Sequence, residues 1–347
     1  MGTVVTFGEI MLRLSTQDGS TLNTAHDLQV HYGGGEANVA VALTHLGHAS
    51  RFVTRLPPNQ LGEGAVRHLL ANGVDTSHIV RGGTNIGIYF LETGFGGRPS
   101  KVIYNRKHSA FSHISEQDFD WSAIFENACW FHISGITLAL GEKVQRTAFR
   151  AAAEAKARGI PVSFDFNYRA RLWSLDAARA IYPKFLYYVD VVFARQWDAQ
   201  MLLDIDPEPS SPYEHRKQAA LRELLQRYHL AFVFGTERII HSATENSLSA
   251  YYLQSNHGTR PIYGKTNPLR FNIYDRIGGG DAFASGVLHG LLTSRSGAAF
   301  SGNPDYAIRF GLATSVLKHT ISGDAALFSC EDVEAFMAAN GSAEVVR

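Results

Sequence analysis

At 347 residues, 45% hydrophobic and 18% charged, the chain has the balance of a packed globular protein and is excluded from the disordered class. Its 32 Lys plus Arg equal its 32 Asp plus Glu. That excludes a broad basic field for nucleic acid or an anionic membrane, but not a small anionic substrate held by a few cations. No apolar run approaches the roughly 20 residues that span a bilayer, and no basic leader precedes an apolar stretch. Cys129 and Cys330 are the only cysteines and have no partner at metal spacing. The expectation is a cytoplasmic chain with two buried, reduced thiols. Met1-Gly2-Thr3-Val4-Val5-Thr6 fits the loose myristoylation pattern, but residues 3–7 read better as a strand.

In chain order, that β-branched strand stops at Gly8. Gly33-Gly34-Gly35 leads into a helical pattern ending at Gly47, then a strand over 51–54 and a helix over 61–72 closed by Gly73. Residues 86–92 and 101–106 read as a hairpin whose long loop holds Gly94, Gly96, Gly97 and Pro99. From Cys129 the rhythm is strand then helix. Strands are expected over 130–134, 161–166, 189–193 and 231–234, with helices over 142–158, from about 175, and over 197–203. Helices over 281–292, 304–318 and 331–339 complete the chain, and residues 204–216 read as an exposed loop.

Such alternation argues for an α/β class: a doubly wound, mainly parallel sheet with helices on both faces. The early β segments do not fit the rhythm. The economical arrangement is a single domain over residues 1–347, with a small β-lid from residues about 10–32 and 85–107. In an open sheet of this kind, ligands sit outside the carboxyl ends of the strands.

The segment with the most chemistry is Asp275-Arg276-Ile277-Gly278-Gly279-Gly280-Asp281-Ala282-Phe283-Ala284, which opens a helix. Three glycines before a helix let backbone N–H groups converge on one point, which the helix dipole makes favourable for phosphate. An Asp there repels anions, and makes sense if it takes a proton from an attacking hydroxyl; the plain alternative is an N-cap. The second Gly-rich passage, Gly33 to Asn38, lacks dinucleotide spacing. It suits close approach to a polyhydroxy ligand, with Asn38 hydrogen bonding in both directions.

The two passages together resemble the ribokinase-like (phosphofructokinase-B-type) sugar kinases over essentially the whole chain, from Gly8-Glu9 to Gly323-Asp324. The form of the Asp275–Ala284 string, and Arg98-Pro99-Ser100-Lys101-Val102-Ile103-Tyr104-Asn105-Arg106, are most similar to 2-keto-3-deoxygluconate kinases. The resemblance implies that Asp281 is the catalytic base, that the backbone of Gly278, Gly279 and Gly280 forms an anion hole, and that Gly34 lies against the sugar. It implies ATP and Mg²⁺, admits a monovalent cation, and makes the reaction phosphorylation of the primary 6-hydroxyl of an acidic sugar.

Asp165-Phe166-Asn167-Tyr168-Arg169 matches the family's Asp-x-Asn-x-Arg. The resemblance puts Arg169 near the acidic substrate or transferring phosphate and Asn167 near nucleotide phosphates, whereas the plain reading is an Asp165–Arg169 pair. On the lid, Tyr89, Tyr104 and Arg106 are the substrate candidates, because a guanidinium can grip an aldonic carboxylate bidentately. Gly235 is carried over as nucleotide-binding, although Gly235-Thr236-Glu237-Arg238 departs from the family's Gly-rich turn. Arg195 stands where relatives have the Asn of a metal motif and Asp198 replaces its Glu, so no metal ligand is assigned. His31, His108, His132 and His319 read as structural. A kinase of fructose or another neutral ketose, and a non-catalytic sugar-binding protein, stay as alternatives. Exposed lid edges suggest a homo-oligomer.

Overall fold

The structure is a computed structural model that describes residues 2–17, 19–256, 259–293 and 303–339. The chain opens with β1 (Thr3–Phe7), then leaves the main layer for β2 (Met11–Ser15) and β3 (Gln29–Gly33). There follow α1 (Gly35–His45), β4 (Ser50–Val53), β5 (Arg55–Leu56), α2 (Gln60–Ala71), β6 (Val80–Arg81), β7 (Gly87–Glu92) and β8 (Lys101–Asn105). The middle runs α3 (Trp121–Ile124), β9 (Ala128–Ser134), α4 (Gly135–Leu138), α5 (Glu142–Ala157), β10 (Val162–Asp165), α6 (Leu175–Leu186) and β11 (Val191–Phe193). Next come α7 (Gln196–Leu203), α8 (Tyr213–Arg227), β12 (Phe232–Ile240), β13 (Glu245–Gln254), β14 (Ile262–Lys265) and β15 (Leu269–Asn272). Three helices end the described chain: α9 (Gly279–Thr293), α10 (Pro304–Lys318) and α11 (Cys330–Ala338).

Six strands pair in parallel in the order β4-β1-β9-β10-β11-β12, and β13, β14 and β15 add an antiparallel extension at one edge. Strands with helices on both faces have no polar face to show. Accordingly Val4, Val5, Phe131, Ile133, Val162, Phe164, Val191 and Val192 are all buried. One face packs Phe131, Phe164, Tyr182, Phe185 and Leu224 under α5, α6 and α8. The other packs Trp130, Phe193, Phe234, Phe283 and Val287 under α1, α9 and α10. This is the doubly wound fold that the strand–helix rhythm implies. The chain crosses from β1 to β4 on one side and to β9 on the other, so the crevice of the sheet opens at the ends of β1 and β9.

The segments expected to form a lid make one four-stranded sheet, β3-β2-β7-β8, parallel at its centre and antiparallel outside. Its register sets His31, Arg13, Tyr89 and Tyr104 opposite one another in a row, hence on one face. Residues 213–216, expected in a loop, already belong to α8. Pro212 starts that helix, and Leu221, Leu224 and Leu225 anchor it to the core. Cys129 and Cys330 are both partly rather than fully buried. No helix among the described residues is long and apolar enough to cross a membrane.

The helices α9 and α10 touch backbone to backbone. A Cβ on Gly286 would lie 2.7 Å from Gly311 Cα, and one on Gly290 would lie 2.6 Å from Ala307 Cα. Replacing Gly286 with Val should therefore force the pair apart and cost about 1–3 kcal/mol. Urea titration should show a lower midpoint with an unchanged slope.

Candidate active site

The loop before α9 is shaped by its own side chains and by residues 319–324. The Asp275 carboxylate accepts from the Ile277 N–H at 3.0 Å and the Gly323 N–H at 3.1 Å. Gly278 has φ of +78°, and a Cβ there would collide with the Asp324 carbonyl oxygen, so only glycine serves. Gly279 lies flat against the His319 ring, while a Cβ on Gly280 would meet nothing within 4 Å. The Ala282 N–H already reaches back to the Gly278 carbonyl. The N–H groups of Gly279, Gly280 and Asp281 are therefore the first-turn donors that helix geometry leaves without a partner. They open on the clear side of Gly280.

Asp281 sits in that first turn. Asn38 Nδ2 donates to its carboxylate at 2.7 Å, and Asn38 Oδ1 accepts from the Gly34 N–H at 3.2 Å. Asn38 thus ties the two Gly-rich passages together. Gly34 has a packing reason as well, since a Cβ there would collide with the Glu9 carbonyl. Burial pushes the Asp281 carboxyl up to about 6; Glu36 and Asp324 push the same way, and Asn38 and Arg169 oppose them.

Glu36 lies at the start of α1, fully inside the crevice. It accepts from the Ser134 N–H and hydroxyl, both at 2.8 Å, and from the Thr137 hydroxyl at 2.7 Å. Asp165, at the end of β10, is pushed up to about 7 by burial and by Asp281 and Asp198, against the pull of Arg169. Asn167 holds a left-handed φ of +37° and donates its N–H to Asp165 at 3.1 Å. The Arg169 side chain is exposed and makes no hydrogen bond or ion pair with any described residue. The plain alternative, an Asp165–Arg169 ion pair, is thus not formed, although the two act on each other electrostatically. Asp198 is buried as the cap of α7: its Oδ2 takes the Arg195 N–H at 2.8 Å, and the Arg195 side chain folds onto it at 3.3 Å.

On the small sheet, Arg13 is buried and grips two acids, Asp275 at 2.6 Å and Asp324 at 2.8 Å. The Tyr89 hydroxyl donates to Asp324, so this side chain is buried and turned to an acid of the body. The Tyr104 ring stacks obliquely on Tyr89 at 5.8 Å and is exposed. Arg106 is buried, donates to Glu9, and lies 6.0 Å from the Tyr104 ring centre. It also lines a cavity of about 300 Å³ with Asn59, Thr84, Ile88, Asn105 and His108. The Arg106 Nε and Glu9 Oε1 atoms are buried without hydrogen-bond partners. Gly235, on β12, is packed under the Tyr251 hydroxyl and the Ala194 carbonyl.

The sequence-predicted residues Gly34, Asn38 and Asp281 are thus linked by hydrogen bonds, and Arg169 reaches Asp281 through its field. Tyr104 and Arg106 gather at the small sheet. Arg13, Glu9, Glu36 and Asp324 were missed. Glu36 stood inside the Gly33–Asn38 string, but nothing in the spacing of Arg13 and Asp324 hinted at their pairing.

The chain matches the pfkB family carbohydrate kinase description over residues 1–328. It is 32% identical over 341 residues to the 2-dehydro-3-deoxygalactonokinase of Haloferax volcanii, covering 95% of each chain. It is 34% identical over 232 residues to the 2-dehydro-3-deoxygluconokinase of Thermoproteus tenax, covering 65% of this chain and 69% of that one. The crystal structure of 2-dehydro-3-deoxygluconokinase from Thermotoga maritima superposes with a TM-score of 0.88 at 40% identity, over 97% of this chain and 98% of the other. Together the family match over residues 1–328 and the 32% identity along nearly the whole chain show that the chain belongs to the pfkB family of carbohydrate kinases.

Proposed function

We propose that this carbohydrate kinase transfers the γ-phosphoryl group of ATP to the primary 6-hydroxyl of 2-keto-3-deoxygluconate. The observation that carries the reading is Asp281, held by Asn38 at the open N-terminus of α9 with its carboxyl pushed up to about 6. A carboxylate poised there is ionised at neutral pH and still basic enough to receive the proton of an attacking hydroxyl. The N–H groups of Gly279, Gly280 and Asp281, with the turn at Gly278, meet the charge that develops on the transferring group. Arg169, exposed and unpaired among the described residues, supplies a positive charge that acts on Asp281, and Asn167 close by in the chain would meet the nucleotide phosphates.

Mg²⁺ bound with the nucleotide would offset the charge of its phosphates. The residues suit such an ion. Asp165, crowded by Asp281 and Asp198, accepts one hydrogen bond from the described residues, the Asn167 N–H, so it has oxygen lone pairs to give to a cation or its water.

The acceptor would occupy the cavity at the small sheet, between Asn59, Thr84, Asn105 and His108, with its carboxylate toward Arg106. The chain Glu9–Gly34–Asn38–Asp281 links that wall to the base by direct contacts. Tyr89 would act on the substrate through Tyr104, because its own hydroxyl is given to Asp324. The small sheet would serve as a lid that excludes water. Its outer strands leave Val30 and Ile103 exposed, and these edges would pair in a homo-oligomer. A neutral ketose such as fructose is the second reading. It is favoured by Glu9, which already matches the charge of Arg106.

Three outcomes are expected. Asp281→Asn should lower kcat by about 10²–10⁴-fold while the thermal midpoint holds, as read by ADP release and calorimetry. In the wild type, log kcat/KM should fall with a slope of one as pH drops through about 6, because the base works only when ionised and its pKa is raised. Arg106→Gln should raise KM for 2-keto-3-deoxygluconate by roughly 10–100-fold, the worth of a charged hydrogen bond, and leave any turnover of fructose unchanged.

A further inference from the structure

Lys318, the last residue of α10, has a side chain that is fully buried. Burying an ammonium costs several kcal/mol unless partners replace its water. Acids do not supply that replacement directly: Lys318 forms no ion pair with any described residue. Its Nζ donates instead to two backbone carbonyls, that of Asp275 at 3.2 Å and that of Ile321 at 3.5 Å. The carboxylates of Asp275 and Asp324 act on it only from farther off, and Arg13 adds a repelling charge.

A cation at a helix C-terminus is ordinarily explained by the helix dipole. That account does not cover this case, because both carbonyls lie outside α10. They belong to the two strands of chain that shape the loop before α9. Asp275 leads directly into Gly278, and residues 321–324 pack against it through Gly323 and the Asp324 carbonyl. A second bond from the same helix, Ser315 Oγ to the Gly279 carbonyl at 2.8 Å, fixes the next residue of the loop. Lys318 therefore clamps the two chain segments whose spacing decides where the N–H groups of Gly279, Gly280 and Asp281 point. Backbone carbonyls with carboxylates nearby are oxygen ligands of the kind that hard metal cations take, and an alkali ion is a hard cation of lower charge.

We propose that Lys318 is a tethered cation and a positioning residue for phosphoryl transfer: its ammonium holds the anion-hole loop in place and makes the enzyme independent of exchangeable monovalent cations. This rests on the reading of the α9 amides as the anion hole, but not on the identity of the sugar.

The test uses the full-length protein with whichever acceptor the wild type turns over, in potassium, sodium and tetramethylammonium salts at constant ionic strength. Wild-type kcat is expected to agree within about 2-fold in all three. Lys318→Met, which removes the charge and keeps most of the volume, should lose roughly 10–100-fold in kcat, the scale of a small misplacement of catalytic groups. Its KM for the acceptor should change by less than about 3-fold. Lys318→Ala, which leaves room for a free ion, should show the same loss in tetramethylammonium and recover at least about 10-fold on saturable addition of potassium or ammonium. A merely structural lysine would show no such rescue. The proposal is overturned if the wild type requires potassium, if folded Lys318→Met keeps its kcat, or if folded Lys318→Ala stays impaired whatever ion is added. Should neither variant fold, the wild-type salt series decides alone. Failure of the 2-keto-3-deoxygluconate reading would appear separately, as turnover of a different sugar with the same salt behaviour.

Discussion

The arrangement turns on one buried guanidinium. Arg13 stands on the central strand of the small sheet and holds Asp275 and Asp324, two acids of the body that flank the loop before α9. Burial works against its charge, but the two acids outweigh that cost and hold its pKa above the ordinary value. Such a triad adds little net stability compared with an apolar filling, yet losing one member strands a buried charge and is severe. Its contribution is geometric. The Asp275 that Arg13 grips also sets the turn into Gly278, and the Asp324 that it grips also receives the Tyr89 hydroxyl and lends its carbonyl to the back of Gly278. The face of the small sheet and the amides at the α9 terminus are therefore fixed relative to each other by a single set of bonds.

A second constraint is electrostatic. Asp281, Asp165 and Glu36 are all carboxyl groups whose pKa burial raises. They differ in how they are satisfied. Glu36 takes three donors from Ser134 and Thr137, which suits a group that braces α1 against β9. Asp281 takes one donor among the described residues, from Asn38, which leaves it lone pairs for an acceptor hydroxyl. The environment thus separates an acid that builds the crevice from one that can exchange a proton within it.

The fold class was legible because parallel strands buried on both faces leave continuous apolar runs, such as Val191–Phe193, separated by helices with turn signals at their ends. Strands β13 to β15 escaped notice. Strand β13 starts on the polar Glu245-Asn246-Ser247, the three strands hold a single β-branched residue, Ile262, and it is their pairing that marks them as strands. At the site, Gly278 to Asp281 and Gly34 to Asn38 stood out as glycine runs before helices; each alone also fits a plain turn and cap, and only the two together carried the resemblance. Arg13 and Asp324 did not stand out, since 311 positions separate them and neither stands in a distinctive string. Tyr89 was read as a substrate contact from its place on the lid, whereas the register of β2 and β7 puts its hydroxyl within reach of Asp324. Lys318 carries no signal in the sequence beyond closing a helix, and only the fold shows that its ammonium points inward to the Asp275 carbonyl.

The central claim is the transfer of a phosphoryl group to the terminal hydroxyl of an acidic keto sugar. The most direct measurement is a phosphorus–proton correlation spectrum of the product formed from ATP, Mg²⁺ and 2-keto-3-deoxygluconate. The account predicts one phosphomonoester coupled to the two C6 protons, formed in equal amount with ADP. A phosphorus coupled to any other position, or ADP released with no sugar phosphate at all, would contradict it.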